Sequence, residues 1–92
     1  MRWLVLLSES AKKDFYELDN GLRERLKKGF EKLKENPFQP RSGADIKKLS
    51  GSYNPAFYRL RVGDYRAIFA IQEKEVKITR ILPRKKAYKW MD

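Results

Sequence analysis

The sequence predicts an α+β fold, with an N-terminal strand and a helix hairpin packed on an antiparallel β-sheet of three to four strands and a short basic C-terminal tail. Two patterns carry that expectation. From Ala11 to Leu33 apolar residues recur at the spacing of amphipathic helices. From Phe57 onward they alternate with other residues, as in strands with one face buried. Ninety-two residues fill a single domain, 1–92, with no room for a second core.

Taken in order, Arg2 to Leu7 reads as a buried strand that enters a helix at Ser8 or Ser10, either of which can serve as N-cap. Ala11, Phe15 and Leu18 form the first helical stripe. Asp19-Asn20-Gly21 breaks that helix and offers a cap for the next, whose stripe is Leu22, Leu26, Phe30 and Leu33. So short a connection makes an antiparallel helix hairpin. Pro37 stops the second helix at about Asn36. Residues 37–45 carry two prolines and a glycine and read as a loop, Ile46 to Leu49 as a short edge strand, and Ser50 to Pro55 as a further turn-rich segment.

The stretch from Phe57 to Ile71 alternates on either side of Gly63-Asp64, the pattern of a two-residue hairpin. Such a turn sets Val62 opposite Tyr65, Arg61 opposite Arg66, Leu60 opposite Ala67 and Arg59 opposite Ile68. The core side is then Tyr58, Leu60, Val62, Tyr65, Ala67, Phe69 and Ile71. Arg59, Arg61 and Arg66 leave from the other side, where like charges facing each other repel. An anion on that face relieves the repulsion, and phosphate is the natural candidate. A turn at Glu73-Lys74 leads into a last strand, Val76 to Leu82, with Val76 and Ile78 on the core side. Strict alternation puts Arg80 in the core, which a bulge or longer turn would correct.

Composition narrows the chemistry. Twenty-two Lys and Arg against 12 Asp and Glu give a formal charge of +10, which favours polyanionic partners. The absence of cysteine excludes disulfides and thiolate metal sites. The absence of histidine removes the commonest general acid–base and the commonest metal ligand, so catalysis falls to Arg, Lys, Tyr or carboxylates. No metal-ligating cluster is visible, and no cofactor is called for. The first apolar run, Trp3 to Leu7, is shorter than the apolar region of a signal peptide, about 7–15 residues, so the expected location is the cytoplasm.

The run Tyr-Arg-Leu-Arg-Val-Gly-Asp-Tyr-Arg-Ala-Ile-Phe at 58–69, followed by Leu-Pro-Arg-Lys-Lys-Ala-Tyr at 82–88, resembles the RelE/ParE superfamily of toxins from prokaryotic toxin–antitoxin pairs. It is most similar to the RelE branch of archaeal type, and the order of elements agrees along the whole chain. The resemblance implies a ribosome-dependent endoribonuclease that cuts mRNA in the ribosomal A site and is held inactive by a cognate RelB-like antitoxin. Residue by residue, it implies that Arg59 and Arg61 fill the paired basic positions of the first hairpin strand, and that Arg66 is the arginine after the turn. It also implies that Arg84 is the general acid or leaving-group stabiliser and that Tyr88 stacks on or orients a base. Two departures are the arginines at 59 and 61, where lysines are frequent, and Pro83, where several relatives carry histidine. The general base is left open, with Lys85, Lys86 and Lys89 as lysines near the motif.

Blander readings stand beside these. Lys12, Lys13 and the helix series Arg23, Arg25, Lys27, Lys28, Lys32 and Lys34 are first of all a solvated face, with Glu24 spaced to pair with Lys28. Alternatively Lys27, Lys28 and Lys32, with Lys85, Lys86 and Lys89, touch ribosomal RNA. Carboxylates from the tail or loops can pair with the hairpin arginines and give them a structural role. Arg66 and Arg84 are expected at the surface, where truncation leaves stability unchanged. The other function classes are a non-catalytic ParE-like inhibitor of a protein such as DNA gyrase, and a general basic RNA-binding module.

Overall fold

Two capping side chains set the helical part. In the computed structural model, which describes residues 2–49, 51 and 55–87, Ser8 Oγ accepts the Ala11 N–H at 3.0 Å and caps α1 (Glu9–Tyr16). Asp19 accepts the Leu22 N–H at 2.8 Å and caps α2 (Asn20–Glu35). Asn36 ends α2 immediately before Pro37, as expected. Both stripes turn inward: Ala11, Phe15, Leu26, Phe30 and Leu33 are buried, with Leu18 and Leu22 packed at their margin.

The sheet runs β1 (Leu4–Leu7), β5 (Glu75–Pro83), β4 (Tyr65–Gln72), β3 (Phe57–Val62), β2 (Asp45–Lys48) across the fold. It therefore has five strands, more than the three or four expected, because the N-terminal strand joins it. β1 lies parallel to β5, with Leu4 opposite Glu75 and Leu7 opposite Ile78. The expectation of a buried strand fails there, since β1 is an edge strand and Leu4 and Leu6 are exposed. Everything from β2 to β5 is antiparallel. The core-side residues named from alternation all belong to, or pack against, one apolar cluster under the helices. α2 lies so close to β3 that a Cβ on Gly29 would sit 2.8 Å from Leu60 Cδ2.

The opposite face has a smaller apolar patch. Ile68, Ala70 and Leu82 are buried there, and a short helix, α3 (Arg84–Ala87), packs on β4 and β5 where a tail was expected. Arg80 leaves the core by way of a bulge: Phe69 pairs with Ile78 but Ile68 with Arg80, so Thr79 is the extra residue. Ser8 Oγ donates to the Thr79 carbonyl at 2.8 Å, so one side chain both caps α1 and ties down the bulge. By register Arg80 then shares the face of Arg66. Its guanidinium is nonetheless taken by Asp14 of α1, from Nε at 2.8 Å and Nη2 at 3.1 Å.

Candidate functional site

The β3–β4 hairpin turns on Gly63, whose φ of 57° needs the left-handed region, and pairs in the register that Gly63-Asp64 dictates. Arg61 lies opposite Arg66, and Arg59 opposite Ile68, so Arg59, Arg61 and Arg66 share the face away from the helices. Only Arg61 is open to solvent. The Arg59 side chain is 12% exposed, its Nη1 donating to the Asp45 carbonyl at 2.7 Å and to Asp45 Oδ1 at 3.0 Å. Its Nε is buried with no hydrogen-bond partner among the described residues.

Arg66 is 7% exposed, which corrects the expectation of a surface residue. It folds back on its own turn, Nη1 donating to the Gly63 carbonyl at 3.1 Å and the Tyr65 carbonyl at 3.2 Å. The same turn positions Arg84, because the Asp64 carbonyl accepts the Arg84 backbone N–H at 2.7 Å as α3 begins. One two-residue turn thus anchors two arginines, Arg66 at the start of β4 and Arg84 at the start of α3. Burial lowers the affinity of the Arg66 guanidinium for its proton, and the charges of Arg61, Arg59 and Arg84 lower it further, with Asp45 opposing. The four arginines therefore form one electrostatic group, with Arg66 at its buried centre.

The loop carboxylate that a structural role requires is Asp45, half-exposed at the start of β2, with Oδ2 also 3.9 Å from Arg61 Nη1. Sequence reasoning missed it by starting β2 at Ile46; one residue earlier, the pairing sets Asp45 opposite Arg61. Lys85 and Lys86 are exposed on α3, and Lys86 borders a cleft of about 520 Å³ beside Arg80 and Asp14. Tyr88 and Lys89 lie outside the described residues. On α2, Lys27 pairs with Glu24 at 3.1 Å, in place of the expected Glu24–Lys28 pair. Lys28 is exposed, and the stem of Lys32 runs against the loop at Gly43. Arg25, counted with the solvated face, instead lays its guanidinium over Gly63, where a Cβ would be 3.1 Å from both Nη atoms. Among the described residues no three acidic side chains gather as they would around a metal ion.

Such a group can hold a phosphate and neutralise extra negative charge on it, because guanidinium forks match phosphate oxygens. A general base is harder to find, since arginine keeps its proton.

Comparison with known proteins agrees with this fold. Residues 5–88 match the model of a family described as the ParE toxin of the type II toxin–antitoxin system parDE. Toxin RelE3 of Methanocaldococcus jannaschii is 31% identical over 84 residues, 91% of this chain and 93% of that protein. Among solved structures, the archaeal RelE–RelB complex of Pyrococcus horikoshii is similar with a TM-score of 0.79 and 30% identity, covering 95% of this chain and 100% of the matched chain. The RelB–RelE antitoxin–toxin complex of Methanococcus jannaschii gives 0.73 and 28%, covering 95% and 99%.

Proposed function

The chain belongs to the RelE/ParE superfamily of type II toxins, and from that premise we propose that it is a ribosome-dependent endoribonuclease that cuts mRNA in the A site and so stops translation. The observation that supports this reading is that Arg59, Arg61 and Arg66 share one face of the β3–β4 hairpin while its turn accepts the Arg84 backbone N–H.

The reaction is attack of a ribose 2′-oxygen on the adjacent phosphorus. The 2′-oxygen gives up its proton, the new P–O bond closes a cyclic phosphate, and the 5′-oxygen leaves and takes a proton. Charge grows on the phosphorane oxygens and on the leaving group. Arg59, Arg61 and Arg66 meet the first, and Arg84, with its backbone held at the turn, meets the second. In-line alignment of the two reacting atoms is supplied by the ribosome, and alignment alone is worth several powers of ten in rate. Tyr88 is assigned to stacking on a base, and Lys85, Lys86 and Lys89 to RNA contact. The chemistry as proposed uses neither metal nor cofactor.

The partner we infer is a RelB-like antitoxin, since the structural relatives include RelE–RelB complexes. Among the described residues no helix is long and apolar enough to cross a membrane, and the place of action follows from the proposed target: the cytoplasm. The second reading, inhibition of a protein such as DNA gyrase without catalysis, is favoured by one observation, the ParE description of the matching family.

The test is a translation extract with primer extension on a reporter mRNA, run beside growth arrest in cells. Wild type should give cuts that require ribosomes. Arg84→Ala and Arg66→Gln, each checked by circular dichroism, should lose about 10²–10³ in rate, as when one donor to a developing charge is removed. Glutamine at 66 retains a donor for the buried turn carbonyls. Folded variants cutting at wild-type rate would show the site to be misplaced, and arrest with no RNA cut would favour the second reading.

A further inference from the structure

We propose that Arg25, Lys28 and Arg61 form a second phosphate-binding site, which carries the RNA backbone from the arginine group around the hairpin turn onto α2. The inference rests on the RNA reading above and adds to it a site on the helix side of the turn.

The site is a cleft of about 340 Å³ between α2 and the end of β3, in the volume range of small-ligand sites. Gly29, Gly43 and Gly63 border it, so its walls are low where a phosphate would approach. Arg25 and Lys28 stand three residues apart on α2 and so share a helix face. Arg61 enters the cleft from the strand and also belongs to the arginine group, so positive charge is continuous between the two places.

Ion pairing divides the helix cations into two groups. Lys27 is neutralised by Glu24 at 3.1 Å and Lys34 by Glu31 at 2.6 Å on α2, and Lys12 by Glu9 at 3.6 Å on α1, whereas among the described residues Lys13 and Lys32 have no carboxylate within 4.0 Å. Among the described residues no carboxylate pairs with Arg25 or Lys28. The one acid bordering the cleft, Asp45, is already shared between Arg59 and Arg61. Arg25 is also pre-placed: its guanidinium packs over Gly63, a position that any larger residue there would contest. A planar cation held against the turn with no carboxylate within 4.0 Å, although Asp19 and Asp64 border the adjoining cleft, is suited to a phosphodiester passing the turn.

The experiment measures binding of a labelled single-stranded RNA, 2′-O-methylated so that it cannot be cut, between about 50 and 300 mM salt. Each lost phosphate contact lowers the slope of log K against log salt by about 0.7 for a single strand. Arg25→Gln/Lys28→Gln should therefore lower the slope by about 1.4 and weaken binding at least about tenfold near 0.1 M salt. Lys12→Gln/Lys74→Gln removes the same charge on the β1 side of the fold and should leave the slope near that of wild type. An Arg25/Lys28 variant with a wild-type slope, or a control with an equal fall, overturns the proposal. So does unchanged RNA binding with weakened capture of the antitoxin, which would give the cleft to the protein partner. Ribosome-dependent cleavage by the wild type is scored in parallel. An unchanged slope in a protein that cleaves refutes this site and leaves the nuclease reading intact. A lowered slope in a protein that never cleaves supports the site and refutes the nuclease.

Discussion

Replacing Asp14 should unfasten α1 from the last strand, and the cost can be worked from its contacts. Its carboxylate accepts from Arg80 Nε at 2.8 Å, from Arg80 Nη2 at 3.1 Å and from the Ile81 backbone N–H at 2.8 Å. β1 stops pairing at Ile78, so past that point the β5 edge has no strand neighbour and the Ile81 N–H depends on Asp14. Loss of that acceptor costs about 1–3 kcal/mol where water cannot replace it fully. The ion pair adds less than a buried one, because the Arg80 side chain is 40% exposed while Asp14 is 14% exposed; about 1 kcal/mol is a fair share. Asp14→Ala should therefore destabilise by about 2–4 kcal/mol, a large part of the roughly 5–14 kcal/mol expected for a domain of this length. That corresponds to a fall in Tm of about 8–32 °C.

Urea unfolding with an unchanged m-value is the assay. Asp14→Asn keeps an acceptor for Ile81 and should lose about half as much; Arg80→Met, which leaves the Ile81 bond alone, should also lose less than Asp14→Ala. The hydrogen bond to Asp14 raises the proton affinity of Arg80 above its ordinary value. A cation raised in this way contributes fully below its unfolded pKa, and for arginine that lies above about 12, so the Arg80 contribution should stay constant from pH 6 to 10. A loss below about 0.5 kcal/mol for Asp14→Ala, at a wild-type m-value, would refute the reasoning.

Two further outcomes follow from the hairpin. Gly63→Ala, at a φ of 57° and with its Cβ 3.1 Å from the Arg25 guanidinium, should cost about 1–2 kcal/mol in a thermal melt; no fall in Tm would mean that the turn can adopt another form. Asp45→Asn should cost less than about 1 kcal/mol, because Arg59 keeps the Asp45 carbonyl as acceptor. It should also tighten RNA binding roughly two- to fivefold by removing the acid that pairs with Arg59 and Arg61; weaker binding in a titration would contradict the placement of Asp45 beside the anion.

The hairpin register was legible in sequence because the Gly63-Asp64 turn and strict alternation leave a single pairing that buries one face. The helices were legible from Ser8, Asp19 and Pro37 together with their stripes. What escaped was non-local. Leu4 to Leu7 is apolar on both faces, so no local pattern says that one face is bare or that the partner is Val76 rather than a neighbour in sequence. The bulge at Thr79 adds a residue without marking it, and only the awkward place of Arg80 hinted at it. The shared face of Arg59, Arg61 and Arg66 was readable; the burial of Arg66 was not, because it comes from a side chain folding back onto its own turn. Arg25 looked like one cation among many until tertiary packing set it over Gly63.

The place of β1 also bears on how the molecule is assembled. Val5 pairs with Val76, so the two ends of the sequence must meet before the sheet has its fifth strand. Closing a loop of that length costs about 4 kcal/mol in chain entropy, beyond a constant, before any contact repays it. Pairings this distant slow folding, and local hairpins such as β3–β4 can form first. During synthesis the first strand must wait for β5 to emerge, and Arg84, whose own N–H meets the turn from just beyond β5, arrives at the same late moment. The arginine group is thus completed only after β5 has been made, and a product truncated before that strand would carry half a site on an unfinished sheet.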